Sequence, residues 1–124
     1  MTDTNGSASS GAEMVGQISE PNVVEAFDPA SLSAIITRLE RSSTPEHLVY
    51  RESELDEVWR LLDAALREAR RDRADAETIE LLEGLKEMIF KVHDLVGVDS
   101  DPQAAAAELR AGLFLARKYS NLRP

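Results

Sequence analysis

The residues of this sequence that could carry chemistry are its carboxylates and its two histidines, His47 and His93. In a helical bundle, such groups hold a pair of metal ions when inward-facing Glu residues combine with Glu-x-x-His motifs. Neither histidine has a Glu three residues before it, because position 44 is Thr and position 90 is Phe. The sequence therefore predicts no metal site.

Motifs for nucleophilic catalysis and for phosphate binding are missing from the sequence as well. The chain has no cysteine, which excludes thiolate nucleophiles, disulfides and cysteine-ligated clusters. No serine lies in a glycine elbow, and the only closely spaced glycines are Gly6, Gly11 and Gly16, near the N-terminus. We therefore expect a protein without a cofactor and without catalytic activity.

The segment from Val92 to Gly97 resembles the His-x-Leu-Lys-Gly stretch of histidine phosphotransfer domains, which are four-helix bundles. The resemblance implies that His93 accepts a phosphoryl group on an exposed ring nitrogen. Val96 stands where the family has a basic residue, and Gly97 is predicted to end its helix instead of lying inside it. Phosphotransfer through His93 is therefore the alternative function. The other interpretation is that His93 has no such role and is only stabilised by the dipole at a helix C-terminus.

Helices must position these residues, because the same start signal recurs along the chain. Asp28-Pro29, Thr44-Pro45 and Asp101-Pro102 each combine a capping side chain with a proline at the first helical position. Asp75 caps a further helix, which Gly97 ends. The predicted helices cover about residues 29–41, 45–71, 75–96 and 102–119. Whether the second is continuous through Ser53 stays open.

Apolar residues recur with the helical period in each of these segments, and no segment alternates as a strand does. The third helix has the widest apolar arc, centred on Leu85 and Ile89, and should be the most buried. The sequence therefore predicts an all-α fold: one four-helix, bundle-like domain over residues 28–124.

Residues 1–27 are predicted to form a disordered tail. Their first half is rich in Ser, Gly, Thr and Asn, and the apolar residues that follow keep no sustained period. The segment from Val23 to Phe27 is either a short binding motif or the end of the tail, packed onto the first helix. Charged residues are all acidic in residues 1–28 and all basic in residues 110–124, so the tail could fold over the last helix.

Four apolar residues lie away from the main helix faces and are the candidate partner-binding residues, although another helix of a tightly wrapped bundle could cover them instead. Ile79 and Phe90 lie opposite the main arc of the third helix, and Phe114 and Tyr119 lie around the fourth. We therefore expect a small helical interaction module: an accessory subunit, regulator or adaptor that binds another protein or itself, as a homodimer.

Charge and hydropathy exclude other classes of partner. A net charge of −9 repels the phosphates of nucleic acids and anionic lipid surfaces. No stretch approaches the roughly 20 apolar residues that a membrane-spanning helix needs. Since residues 1–12 lack the pattern of a secretory signal or a transit peptide, the sequence predicts a cytoplasmic protein.

Overall fold

The computed structural model describes residues 27–122, and every regular element in this range is an α-helix. The helices are α1 (Pro29–Glu40), α2 (Pro45–Arg71), α3 (Ala76–Gly97), α4 (Pro102–Ala111) and α5 (Leu113–Leu122). The predicted all-α, bundle-like fold is confirmed, and α2 is continuous through Ser53. Of the tail predicted over residues 1–27, residues 1–26 lie outside the described residues.

The first four helices begin at the capping residues that the sequence predicts. The carboxylates of Asp28, Asp75 and Asp101 each accept a hydrogen bond from the backbone N–H three residues further on, at 2.7, 2.9 and 3.0 Å. The hydroxyl of Thr44 accepts one at 3.2 Å. A proline follows three of these caps at the first helical position. Each cap stabilises its helix by about 1 kcal/mol, because it satisfies a backbone donor that has no partner inside the helix.

α3 is the central helix of the domain. α2 packs along it on one side, α4 and α5 pack on it elsewhere, and α1 packs mainly on α4. The side chains of Leu85 and Ile89, the predicted centre of the core, are both 0% exposed. α2 has few contacts outside α3, so no other helix of residues 27–122 covers the outer face of the α2–α3 pair.

The fourth predicted helix, 102–119, is interrupted at Gly112 and extends to Leu122 as α5. A Cβ atom on Gly112 would lie 1.8 Å from the sulfur of Met88, so only a glycine lets α3 approach this closely without a rearrangement. A single glycine within an apolar pattern does not indicate this one-residue interruption, and the predicted helix otherwise coincides with α4 and α5.

Phe27 belongs to the core, and its assignment to the disordered tail was wrong. Its side chain is 1% exposed, and its ring centroid lies 5.8 Å from that of Tyr119. Phe27 precedes the cap Asp28, and the buried Leu32 follows that cap by four residues, which is the spacing of a hydrophobic staple. The structure thus agrees, at this one residue, with the alternative in which the end of the tail packs onto the first helix.

Candidate protein-binding surfaces

A groove runs along the open face between α2 and α3. The groove consists of three adjoining hollows. The central hollow shares Trp59 and Phe90 with one neighbour, and Asp56 and His93 with the other. The lining of the groove on α2 extends from Val49 to Arg70, which is about 30 Å at 1.5 Å per residue. We call this surface the α2–α3 groove.

Two aromatic side chains form the apolar centre of the α2–α3 groove. Phe90 is 58% exposed, and Trp59 is half-buried with part of its ring packed on the core. Complete burial of a phenylalanine side chain is worth about 1.5–3 kcal/mol, and no other part of the described chain provides it here. The groove therefore leaves apolar surface uncovered that a partner could bury.

The charged residues around this centre are mainly acidic. Those lining the groove are Glu52, Asp56, Glu83 and Glu87 against Arg70 and Lys86. Both basic side chains are already paired: Arg70 with Glu83, and Lys86 with Asp63 at 2.6 Å. Glu87 has no ion-pair partner within residues 27–122. Asp56 is in turn paired with Arg60 at 2.9 Å, so the excess negative charge around the apolar centre comes from Glu52 and Glu87.

Lys86 is held in the wall of the groove from two sides. Its Nζ lies 4.8 Å from the centroid of the Trp59 ring and donates a hydrogen bond to Asp63. This hydrogen bond holds the pKa of Asp63 below its ordinary value of 3.8, against the opposing effect of partial burial. The positive charges of Lys86, Arg67 and Arg70 lower the pKa further. Asp63 is therefore ionised at neutral pH, and its charge neutralises that of Lys86.

A second apolar surface with the opposite charge lies on the outer side of α5. Phe114 is 51% exposed and Leu122 is 40% exposed. Arg117 and Lys118 follow Phe114 at i+3 and i+4, so all four side chains share one side of the helix. Both basic residues are exposed, and neither forms an ion pair within residues 27–122. We call these four residues the α5 face.

The four predicted partner-binding residues differ in their exposure. Phe90 and Phe114 are more than half exposed, on two separate helices, and Ile79 is half-buried against the core. Tyr119 is only 8% exposed, so the bundle itself covers this candidate partner-binding residue and leaves little of it for a partner. Its cover is Phe27, a contact distant in sequence that no helical pattern could indicate.

Trp59 belongs to the helical apolar pattern of α2, which indicates a place in the core and does not indicate its place in the groove. Tryptophan is so large that it is seldom buried completely, even when it belongs to an apolar helix face. Trp59 lies at the edge of the apolar face of α2, where its ring reaches both the core and Lys86. Size together with an edge position is the signal that could have found it.

The two histidines lie in different surroundings. His93 lines the end of the groove, and its Nε2 lies 3.8 Å from a carboxylate oxygen of Glu52. A Cβ atom on Gly97 would lie 2.6 Å from the same oxygen. Neither of the two hollows that His93 lines has a Lys or Arg in its lining. His47 has a local structural role, because its Nδ1 accepts a hydrogen bond from the backbone N–H of Ser43 at 3.2 Å.

No protein-family model matches this chain, and neither a curated protein nor a solved structure matches it significantly. Within residues 27–122, no three His, Asp or Glu residues are grouped so as to hold a metal ion. No helix of this range has the length and apolar character needed to cross a bilayer. The geometry and charge of the two surfaces are therefore the features of this chain that bear on its function.

Proposed function

We propose that this chain is a small helical protein-interaction module, acting as an accessory subunit, regulator or adaptor without catalysis of its own. The observation that supports this most is Phe90, an exposed aromatic residue at the centre of a groove about 30 Å long. Buried aromatic residues commonly contribute a large share of the binding energy of protein interfaces. A cytoplasmic location, as predicted from the sequence, is part of this proposal.

The shape and charge of the groove favour a protein over other classes of ligand. Small-molecule sites are concave and bury most of the surface of their ligand, whereas this groove is long and leaves its central Phe90 more than half exposed. The acidic residues that line it repel the phosphates of nucleic acids. A long apolar groove between two helices suits an amphipathic helix of a partner protein.

The proposal is tested by comparing the proteins retained by the immobilised full-length chain and by its Phe90→Ala variant. We expect a protein that the wild type retains from native cytoplasm and that Phe90→Ala loses. Val98→Ala is the matched control, because Val98 is 75% exposed but lies beyond the end of α3, outside the lining of the groove. If all three chains retain the same proteins, the proposed role of the groove is wrong.

Histidine phosphotransfer through His93 stays the alternative. A phosphoryl group carries a charge of about −1.5 to −2 at neutral pH and binds best beside basic residues. His93 has Glu52 and Asp56 beside it in its hollow. These surroundings disfavour a phosphorylated histidine, and we therefore prefer the interaction module.

A further inference from the structure

The α2–α3 groove and the α5 face complement each other in charge and in apolar character. The groove places four acidic and two basic side chains around Trp59 and Phe90, whereas the α5 face places only basic ones beside Phe114. We infer that the α2–α3 groove binds the α5 face of a second copy of this chain. This inference rests on the proposed function and names the partner.

The dimensions of the α5 face suit this contact. The ten residues of α5 are about 15 Å long, which is half the length of the groove. Phe114, Lys118 and Leu122 are spaced at i, i+4 and i+8, as are the anchors of helices that bind in grooves. Phe114 at the centre of the groove covers Phe90, and Lys118 one turn further on reaches the unpaired Glu87.

The α5 face of the same copy is not available to its own groove. Leu113, Ala116 and Tyr119 are buried and fix α5 on the core. The side chain of Leu115 lies against α3 at Gly84, where a Cβ atom would be 3.6 Å from it. Phe114 projects away from this packed side and is exposed. An α5 face that enters the groove must therefore come from another molecule.

Contact between two grooves is disfavoured, because it would bring the same acidic residues together. Glu87, which has no basic partner in the described chain, would then face acidic residues of the other copy. Like charges at contact distance repel each other, and burial strengthens the repulsion. Pairing the groove with the α5 face instead places Arg117 and Lys118 against these acids, so the contact joins two different surfaces.

The first test is the molecular mass of the full-length protein in sedimentation equilibrium over a concentration series. We expect the wild type to exceed the monomer mass of 13.7 kDa as concentration rises. Phe90→Ala and Phe114→Ala should each weaken association about tenfold or more, as substitutions of central interface aromatics do. Both side chains are more than half exposed, so both variants should melt like the wild type. Val98→Ala is the matched control and should associate like the wild type.

Mixing the two defective variants gives the sharper test. Phe114→Ala keeps an intact groove, and Phe90→Ala keeps an intact α5 face, so an equimolar mixture contains one complete pair of surfaces. We expect the mixture to associate more tightly than either variant alone. Glu87→Lys and Lys118→Glu should behave in the same way, because a mixture of these two variants again opposes unlike charges.

Three results would overturn the inference: a wild type that stays monomeric at the highest soluble concentration, a Phe114→Ala variant that associates like the wild type, or mixtures that associate no better than their components. If a different protein then binds in a Phe90-dependent manner, the proposed function stands and only the second copy is wrong as the partner. If nothing binds in this manner, both proposals fail.

Discussion

Among single residues, Asp63 pairs with Lys86 in the wall of the α2–α3 groove, and its ionised form contributes to the stability of the fold. Its pKa is lowered first by the hydrogen bond from Lys86, whereas the pKa of Asp75 is lowered by hydrogen bonds with Thr78 at the start of α3. A carboxyl group with a lowered pKa in the folded state stabilises that state fully above its ordinary value, here 3.8. This stabilisation is lost as the pH falls through the lowered pKa.

A carboxyl NMR titration should therefore find both Asp63 and Asp75 with pKa values below 3.8. In Lys86→Met, the pKa of Asp63 should rise, because the charged hydrogen bond is gone, while Asp75 serves as the internal control and keeps its lowered pKa. The variant should also lose less stability than the wild type on acidification through this range. An Asp63 pKa that does not change in Lys86→Met would contradict the assignment.

His93 should be replaceable, since neither folding nor protein binding is proposed to depend on its chemistry. His93→Gln should melt close to the wild type, because the side chain is only partly buried and its one ionic contact, with Glu52, is long at 3.8 Å. Incubation of the wild type with a small phosphoryl donor, or with a phosphorylated receiver domain, should yield no acid-labile, alkali-stable adduct. An adduct on the wild type that His93→Gln lacks would instead favour phosphotransfer.

Among the helices, the end of α2 shows local strain that a substitution can remove. Arg73 has a φ of 58°, in the left-handed region where a side chain costs about 1 kcal/mol. The neighbouring N–H of Ala74 bonds to the carbonyl of Ala69 at 2.9 Å, and that of Arg73 to Arg70 at 3.2 Å, which together form a Schellman motif. Glycine is the usual residue at this position.

Arg73→Gly should raise the free energy of unfolding by about 0.5–1 kcal/mol, because glycine adopts this backbone conformation without strain. Ala74→Gly is the control, since Ala74 is not in the left-handed region and glycine there only adds freedom to the unfolded chain. Ala74→Gly should therefore lower the free energy of unfolding. Thermal and urea melts of both variants measure the difference, and an Arg73→Gly protein less stable than the parent would show that the strain is absent.

The packing of α3 predicts a large contrast between its buried and its exposed residues. Leu85→Ala and Ile89→Ala should each cost about 2–5 kcal/mol, because both side chains are 0% exposed and would leave cavities. Phe90→Ala, one residue from Ile89, should change stability far less. Melts of the three variants give the comparison. If the two core variants melted within a degree or two of the parent, α3 would not be the centre of the core.

The helices could be predicted from the sequence because their signals are local. A capping side chain followed by proline, as at Asp101 and Pro102, specifies a helix start within two residues of chain. The close approach of Met88 to Gly112 and the contact of Phe27 with Tyr119 each join residues that are far apart in the sequence. Neither contact has a signature in the local pattern, although the packing of Phe27 onto the first helix was one of the two predictions for the segment from Val23 to Phe27.

In the whole molecule, the arrangement of helices around α3 decides which apolar residues stay exposed. The sequence has more apolar side chains than the main helix faces hold. Two of those outside these faces, Phe90 and Phe114, are exposed in the structure. It does not show which helix covers which face, so Tyr119 was assigned to the surface and Trp59 to the core alone. The α2–α3 groove and the α5 face are the two aromatic surfaces that the helices leave exposed. The charged residues beside them are mainly acidic in the groove and basic on the α5 face.

The central claim is that the α2–α3 groove becomes covered when the chain associates, and the emission of Trp59 tests it most directly. Trp59 is the only tryptophan of the chain and lies at the centre of the groove. As concentration rises, its emission should move to shorter wavelength over the same range in which the mass increases, because the partner displaces water from the ring. Phe114→Ala should show neither change. A mass that increases while the Trp59 emission stays constant would contradict the claim, since the copies would then meet at another surface.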